Sequence, residues 1–282
     1  MPKSPTRFMI NSGNMPGKSS KLTEIECLIE LAKMGKAAGA KDLDHLDGAA
    51  AAFTYIRVAN LVASRWQAGE ITAPVLDWGC GYGQVSWLLK ERGVAVLSYD
   101  VQERPAREHM PPINSVDIKY GADPVRLPYP SASAGAVLSV GVLEHVPDIG
   151  GSLWEINRVL HPGGTFFVFM LPNRYSWAEW IADMRHVSSH PVKFTSRTAV
   201  NLLSSHGFEV EKQWRRNFLP RNLTGLPQWF KTVYGCLFRQ IGALDSLLAN
   251  TPPASLFSGV LEFIARKRRP SETKEGMEQP GK

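Results

Sequence analysis

The sequence predicts an α/β protein built on a doubly wound, mostly parallel sheet of seven strands. Strand-like apolar runs alternate with helix-like segments along most of the 282 residues, which is typical of a parallel sheet. A glycine-rich turn at Gly79–Gly83 joins the first such run to a helix-like segment, as at the ligand-binding edge of doubly wound sheets. With 44% hydrophobic residues, the chain can bury one large core and an appendage.

Two helices are expected before the sheet. Apolar residues recur at helical spacing in Leu22–Gly35 and again in Ala49–Trp66, with a linker rich in Ala, Gly and Asp between them. The terminal segments lack the apolar content of a packed element and are expected to be disordered. The predicted organisation is a disordered lead (1–21), a helical cap (22–70), the sheet core (71–214), an insertion (215–258), the last strand (259–269) and a disordered tail (270–282).

The strands follow in order along the core. Apolar runs predict them at Val75–Trp78, Val94–Asp100, Val116–Tyr120, Ala136–Val142, Thr165–Leu171, Phe208–Trp214 and Gly259–Arg266. Helices are expected at Gln84–Arg92 and at Ser196–His206, where Gly207 provides a glycine stop signal. The connection before the last strand, Arg215–Ser258, is much longer than an ordinary hairpin loop.

The turn after the first strand has the composition of an adenosine-binding site. Asp77 leads into three glycines spaced two apart, and glycine permits both a sharp turn and close approach of the backbone to a ligand. The second strand ends in Asp100, 21 residues after Gly79, where an acid can bind the two ribose hydroxyls. A dinucleotide site would have its third glycine where Gln84 stands, so a nicotinamide oxidoreductase is disfavoured.

The pattern Asp77-x-Gly79-x-Gly81-x-Gly83 resembles the first motif of the class I, Rossmann-like S-adenosylmethionine methyltransferases. Three further segments resemble later motifs of that family in the expected order: Gly121–Tyr129, Val137–Val146 and Asn157–Gly164. Together they are similar to the small-molecule branch that includes the ubiquinone and menaquinone biosynthesis methyltransferases. The resemblance implies S-adenosylmethionine as cofactor, an antiparallel last strand and N-terminal helices that cover the cofactor site.

The resemblance also implies which residues bind the cofactor. The glycine loop would hold the methionine moiety, Asp100 the ribose, and Asp123 the adenine amino group. The implied contacts are Asp77, Gly79, Cys80, Gly81, Gly83, Asp100, Val101, Ala122 and Asp123. Pro124 departs from the family pattern, because proline lacks the backbone N–H that the family usually offers to the adenine ring there.

Methyl transfer from a sulfonium depends chiefly on alignment and on the exclusion of water, but a hydroxyl acceptor also needs a base. Histidine is the default base. His145, after the fourth strand, is the first candidate, and His190 and His186 follow in the connection after the fifth strand. Some quinone-pathway O-methyltransferases complete a metal site with a Glu three residues before a Glu-His pair. Gly141 holds that position before Glu144 and His145, so no metal is expected.

The insertion is rich in apolar and aromatic residues, and Gln228–Ala249 has the pattern of one amphipathic helix or two. Three interpretations stay open: a cap packed on the core, a substrate lid, or a helix that faces a membrane monolayer. The net charge of +6 fits an anionic small molecule or a membrane surface. A nucleic-acid substrate is disfavoured, because the sequence has no separate basic module with aromatic platforms.

The expected function is therefore methyl transfer from S-adenosylmethionine to a small-molecule or lipid-like, quinone-like acceptor. The alternative is a catalytically inactive scaffold of the same fold that binds a membrane or a partner. Three scattered cysteines suit a reducing cytoplasm, and no apolar run approaches the ~20 residues that cross a bilayer. We therefore expect a cytoplasmic protein, with peripheral membrane contact left open along with the acceptor and the oligomeric state.

Overall fold

A computed structural model of the chain describes residues 23–43, 46, 48–186, 190–219 and 227–269. The lead and tail that the sequence predicts to be disordered, 1–21 and 270–282, lie outside the described residues. Among the helices of the described part, none has the length and hydropathy needed to cross a membrane.

Seven strands form one sheet. They are β1 (Val75–Trp78), β2 (Val96–Asp100), β3 (Lys119–Tyr120), β4 (Ala134–Val140), β5 (Leu160–Pro172), β6 (Phe208–Arg216) and β7 (Val260–Lys267). Their order across the sheet is β3-β2-β1-β4-β5-β7-β6. The strands from β3 to β5 are parallel, and β7 is antiparallel to both of its neighbours. The predicted fold class and its antiparallel last strand are confirmed.

Helices flank the sheet in the order that the sequence predicts, and the structure adds two helices between the predicted ones at Gln84–Arg92 and Ser196–His206. The described helices are α1 (Glu24–Ala37), α2 (Ala49–Gln67), α3 (Gln84–Glu91), α4 (Ile149–Val159), α5 (Trp177–Met184), α6 (Ser196–Ser205), α7 (Gln228–Cys236) and α8 (Phe238–Asn250). Sequence analysis did not predict α5. Its start is set by Ser176, whose hydroxyl accepts a hydrogen bond from the Glu179 N–H, and this is the local chemistry of a helix N-cap.

The third strand is shorter than predicted. Only Lys119 and Tyr120 pair with β2, whereas Val116 and Ile118 are buried beside Gly83, at the start of α3. Their apolar side chains pack under the glycine loop rather than extending the strand. The fifth strand begins earlier than predicted, because Leu160 pairs with Ala134 at the start of β4.

The sheet is covered on both faces. Phe166 and Phe167 are fully buried neighbours on β5, and they point to opposite faces because strand side chains alternate. Phe167 packs in the core beneath α1, α2 and α3. Phe166 packs in the other core with Phe208, their ring centroids 5.3 Å apart. Burial on both faces explains why the central strands are continuous apolar runs.

The insertion forms α7 and α8. Asp245 of α8 is buried, and its carboxylate accepts hydrogen bonds from the backbone N–H groups of Asn217 (3.3 Å) and Leu219 (2.8 Å). These bonds fix α8 to the chain that leaves β6. Several side chains of α7, of α8 and of the residue between them are exposed and apolar: Trp229, Phe230, Val233, Leu237, Leu244 and Leu247. The insertion is therefore attached to the core through Asp245, and it also presents apolar side chains at its surface.

A buried ion pair ties α2 to the last two strands. The Glu262 side chain is 1% exposed, and its carboxylate accepts 2.5 Å hydrogen bonds from the Arg57 guanidinium and from the Trp214 indole N–H. The Arg57 guanidinium also lies 5.7 Å from the centroid of the Phe169 ring. Because α2 belongs to the N-terminal helices, these contacts hold the predicted helical cap on the sheet.

Glu262→Ala should destabilise the fold by about 3–5 kcal/mol, because it leaves buried donors of Arg57 and Trp214 without their acceptor. Urea unfolding followed by circular dichroism measures the change. The matched control is Glu30→Ala, which breaks the exposed 3.2 Å pair with Lys33 and should cost no more than about 0.5 kcal/mol. Equal losses in the two variants would contradict a stabilising role for the Glu262 contacts.

Candidate active site

The loop Gly79–Gly83 connects β1 to α3 at the carboxyl edge of the sheet. Gly79, Gly81 and Gly83 have φ angles of 68°, 59° and 88°, values that residues with a Cβ rarely adopt. The N–H groups of Gly79 and Cys80 donate to the Tyr99 carbonyl oxygen at 2.8 and 3.0 Å. Apart from the neighbouring residues of the loop, a Cβ placed on Gly81 would meet no atom of the described residues nearer than 4.0 Å. The loop is thus held against β2 and has open space over its centre.

The side chain of Asp100, at the end of β2, contacts this loop. It is 6% exposed, and its carboxylate accepts hydrogen bonds from the N–H groups of Gly81 (2.7 Å) and Gln102 (2.9 Å). The acid predicted to bind ribose is therefore fixed beside the central glycine, and the loop and the acid form one unit.

Asp77 makes its hydrogen bond inside the protein. Its carboxylate accepts from the Ser86 hydroxyl at 2.6 Å, and the Ser98 hydroxyl lies 2.8 Å from that of Ser86. Burial raises the pKa of Asp77 to about 6, against the opposing effect of the bond from Ser86. This contact joins β1 to the first turn of α3 and orients the loop between them.

The remaining predicted cofactor residues lie around this loop and along the same edge. Cys80 is buried, and burial raises the pKa of its thiol well above the usual value. Val101 follows Asp100 and is 54% exposed. Asp123 and its neighbour Ala122 are exposed, and the Asp123 carbonyl accepts a 3.0 Å hydrogen bond from the Tyr99 hydroxyl.

The Asp123 carboxylate closes its own turn. It accepts hydrogen bonds from the N–H groups of Val125 (2.9 Å) and Arg126 (3.0 Å), and these bonds lower its pKa. Pro124 has no backbone N–H. The N–H of the next residue, Val125, is already used in the bond to the Asp123 carboxylate and does not take its place as a free donor.

A contact that sequence analysis missed closes the loop from the side of the helical cap. The Tyr82 hydroxyl donates a 2.6 Å hydrogen bond to Asp42, which lies between α1 and α2. Arg104 pairs with the same carboxylate and lies 5.0 Å from the Tyr82 ring centroid. The cap is therefore attached directly to the glycine loop. No local pattern signals this trio, because its members come from three separate segments.

Two of the predicted catalytic residues meet in one cluster with Glu144. Glu144, His145 and His190 each offer an oxygen or nitrogen atom, and these atoms all lie within 4.8 Å of one another. The two imidazole centroids are 5.7 Å apart. His186 is exposed and does not belong to the cluster. His190 thus adds a third side chain of a ligand type to the Glu144–His145 pair, on which the expectation of no metal rested.

The environments within this cluster differ. Burial raises the pKa of Glu144 to about 7, and burial lowers the pKa of His145. His190 Nδ1 lies 2.9 Å from Glu179 Oε1, and this hydrogen bond raises the pKa of His190. The bonds from His190 and Lys193 hold the pKa of Glu179 below its usual value although burial opposes them.

Glu179 is a further residue that was not predicted from the sequence. The spacing Ser176-x-x-Glu179 could have signalled the start of its helix.

The glycine loop contacts the loop that carries Glu144 and His145. An ideal Cβ on Gly79 would lie 2.6 Å from both γ carbons of Val142, in the loop that leads from β4 to Glu144. The loops after β1 and β4 are thus in direct contact at the carboxyl edge. The glycine loop with Asp100 and the loop that leads to the histidine–carboxylate cluster therefore lie at the same edge of the sheet.

The sheet core is similar in sequence to known methyltransferases. Residues 76–168 match a family model described as a methyltransferase domain. A probable S-adenosylmethionine-dependent methyltransferase of Mycolicibacterium smegmatis is 32% identical over 157 residues, 56% of this chain and 57% of that protein. A ubiquinone biosynthesis O-methyltransferase of Idiomarina loihiensis is 34% identical over 118 residues, 40% of this chain and 49% of that protein. The chain spans about half the length of these curated relatives.

A solved structure agrees in fold. The 1,6-didemethyltoxoflavin-N1-methyltransferase of Burkholderia thailandensis, with bound 1,6-didemethyltoxoflavin and S-adenosylhomocysteine, is 19% identical, with a TM-score of 0.50. The similarity covers 90% of this chain and 94% of that chain. At this identity the similarity is evidence for the fold alone.

The contact between the two loops predicts a difference between two glycine variants. Gly79→Ala and Gly81→Ala should each lose about 1–2 kcal/mol of stability from a left-handed backbone. Gly79→Ala should lose roughly 1–3 kcal/mol more, because its methyl group collides with Val142. Adding Val142→Ala to Gly79→Ala should recover much of the excess. Denaturant unfolding measures all three, and equal losses in the two single variants would argue against the close contact.

Proposed function

We propose that this chain, whose residues 76–168 belong to the methyltransferase domain family and whose cofactor is S-adenosylmethionine, transfers a methyl group to a small-molecule acceptor. The observation that carries the proposal is the contact between the Gly79–Gly83 loop and the loop that leads to the Glu144–His145–His190 cluster. In this proposal the methyl donor binds at the first loop, and the side chains of the cluster bind or deprotonate the acceptor.

The residues around the glycine loop suit the cofactor. The open space over Gly81 admits a ligand against the backbone, and Asp100 provides carboxylate oxygens for ribose hydroxyls. In this proposal Gly79, Cys80, Gly81 and Gly83 hold the methionine moiety, and Asp77 keeps their loop in place through Ser86. Val101, Ala122 and Asp123 border the adenine. When bound, S-adenosylmethionine supplies a methyl group on a positively charged sulfur, which is a good leaving group.

The cluster would position the acceptor and take its proton. His145 is the first choice for the proton acceptor, because its side chain is 46% exposed and it lies next to Glu144. His190 is less exposed (30%) and already bonded through Nδ1 to Glu179, which suits it to a positioning role. Alignment of the two reactants and exclusion of water would supply most of the acceleration.

An apolar acceptor is favoured by the insertion. The exposed apolar side chains of α7 and α8 suit either a lid over a lipid-like or quinone-like molecule or contact with a membrane surface. The ubiquinone biosynthesis relative supports a quinone-like acceptor at modest identity. In this proposal the protein works in the cytoplasm and reaches its acceptor at the membrane periphery.

The second candidate function is a scaffold that keeps the fold without catalysis and binds a membrane or a partner. The exposed apolar side chains of the insertion are the observation in its favour. The fixed position of Asp100 on the glycine loop argues for the enzyme, because a scaffold has no need for it.

Incubating the protein with methyl-labelled S-adenosylmethionine and an extract of its source cells tests the function. We expect a labelled product that partitions into the organic phase. Asp100→Ala is the matched inactive variant: removal of the ribose-binding carboxylate should cost roughly 100-fold or more in affinity for S-adenosylhomocysteine, at about 1.4 kcal/mol per tenfold. Asp117→Ala removes an exposed acid and should behave as wild type.

Label only in the aqueous phase would make the insertion a structural cap and the acceptor a polar metabolite. Absence of transfer together with tight cofactor binding would favour the scaffold. Unchanged cofactor affinity in Asp100→Ala would refute the site.

His145→Ala should lower the rate of methyl transfer by about 10²–10⁴-fold, the usual contribution of a positioned acid–base group. Its affinity for S-adenosylhomocysteine should stay within twofold of wild type, since His145 lies outside the glycine loop. The same labelled-methyl assay and isothermal titration calorimetry give the two readouts. His109→Ala, which removes an exposed histidine elsewhere, is the control; a loss of equal size in it would contradict the assignment.

A further inference from the structure

We propose that Glu144, His145 and His190 form a binding site for a divalent transition-metal cation, with Zn²⁺ the ion that the donor set fits best. Their ligand-type atoms lie within 4.8 Å of one another. Two of the side chains come from the loop after β4 and the third from the segment that follows α5. The site therefore depends on the fold and not on a local sequence motif.

Glu144 has a buried carboxylate oxygen without a hydrogen-bond partner among the described residues. Its side chain is 2% exposed, and the atom concerned is Oε2. Its other oxygen lies 3.9 Å from His145 Nε2, too far for a hydrogen bond. A buried carboxylate is costly unless a donor or a cation satisfies it. A bound cation would satisfy it.

His190 is oriented by a hydrogen bond to Glu179, which is itself paired with Lys193. Glu179 accepts the hydrogen bond of His190 Nδ1 at 2.9 Å, and Lys193 holds the other Glu179 oxygen at 3.2 Å. This leaves His190 Nε2 as the free ring nitrogen. A carboxylate that fixes one nitrogen of a histidine while the other binds metal is the usual arrangement in metal sites. Glu179 would thus be a positioning residue for the ligand His190.

The donor set selects the ion. Two imidazole nitrogens and one carboxylate oxygen are a three-ligand set that Zn²⁺ takes in sites with an open fourth position. Mg²⁺ and Ca²⁺ prefer oxygen ligands throughout. Ligands at about 2.0–2.1 Å from a common ion lie no more than roughly 4.2 Å apart. The separations in the cluster, up to 4.8 Å, exceed this by little, and small side-chain rotations would bring the three atoms into range.

The open position would face the acceptor. The loop that carries Glu144 and His145 contacts the glycine loop through Val142, and His145 is the most exposed of the three members of the cluster. A cation there would bind the oxygen of the acceptor and lower the pKa of the acceptor's hydroxyl group. His145 would then act as a metal ligand and not as the base. This use of the site rests on the proposed function, whereas binding of the cation does not.

Metal titration of the full chain tests the site. After treatment with a chelator and dialysis, Zn²⁺ is added to the protein without cofactor or acceptor and followed by calorimetry. We expect one Zn²⁺ per chain. Glu144→Gln and His190→Ala should weaken binding by at least 100-fold, and Glu179→Gln by about 10-fold to 100-fold as a group behind a ligand. His109→Ala should leave it unchanged.

Two further readouts guard against misfolding and confusion with activity. Affinity for S-adenosylhomocysteine, measured on each variant, reports the fold near the site. Co²⁺ added to the wild-type protein should give the strong visible bands of tetrahedral cobalt. The weak spectrum of hydrated Co²⁺, or Zn²⁺ affinity that is as high in Glu144→Gln and His190→Ala as in wild type, would overturn the site.

The two proposals fail separately. Methyl transfer by protein that binds no Zn²⁺ would refute the metal site and leave the proposed function. Stoichiometric Zn²⁺ binding without methyl transfer would support the metal site and refute the proposed function.

Discussion

The contact of Gly79 with Val142 is the constraint on which the arrangement of the site depends. The absence of a side chain at Gly79 lets the loop after β1 lie against the loop after β4. The first loop is held to β2 through Tyr99 and Asp100. The second leads within two residues to Glu144. One close approach between the Gly79 backbone and the Val142 side chain therefore brings the glycine loop and the loop of the histidine–carboxylate cluster together at the same edge.

The helical cap is fixed to this edge at two places with different physical character. Near the glycine loop, Asp42 joins the Tyr82 hydroxyl and Arg104 at a partly exposed site. Nearer the β6 edge of the sheet, Arg57 of α2 pairs with Glu262 of β7, which is buried. The buried pair gives the cap a fixed orientation. The more exposed contact, which is weaker in water, is the one next to the open space over Gly81.

Apolar runs and glycine spacing were sufficient to predict the sheet, because both are local. The Gly79–Gly83 loop and the placement of Asp100 followed from the same strand–turn–helix pattern. The short β3 was not predicted, because Val116 and Ile118 pack beneath the loop instead of pairing with β2. The sequence predicted His145 and His190 as candidates but not that they meet at Glu144. His190 lies beyond α5 in the chain and is oriented by Glu179 of that helix. Such contacts between distant segments leave no periodic signal in the sequence.

The most direct test of the central claim, that the two loops form one site, is a crystal structure of the protein with S-adenosylhomocysteine. Our account predicts ribose hydroxyls within hydrogen-bond distance of the Asp100 carboxylate, and a sulfur atom that faces the Glu144–His145–His190 cluster across the glycine loop. A ligand bound away from Asp100, or with its sulfur directed away from that cluster, would contradict it.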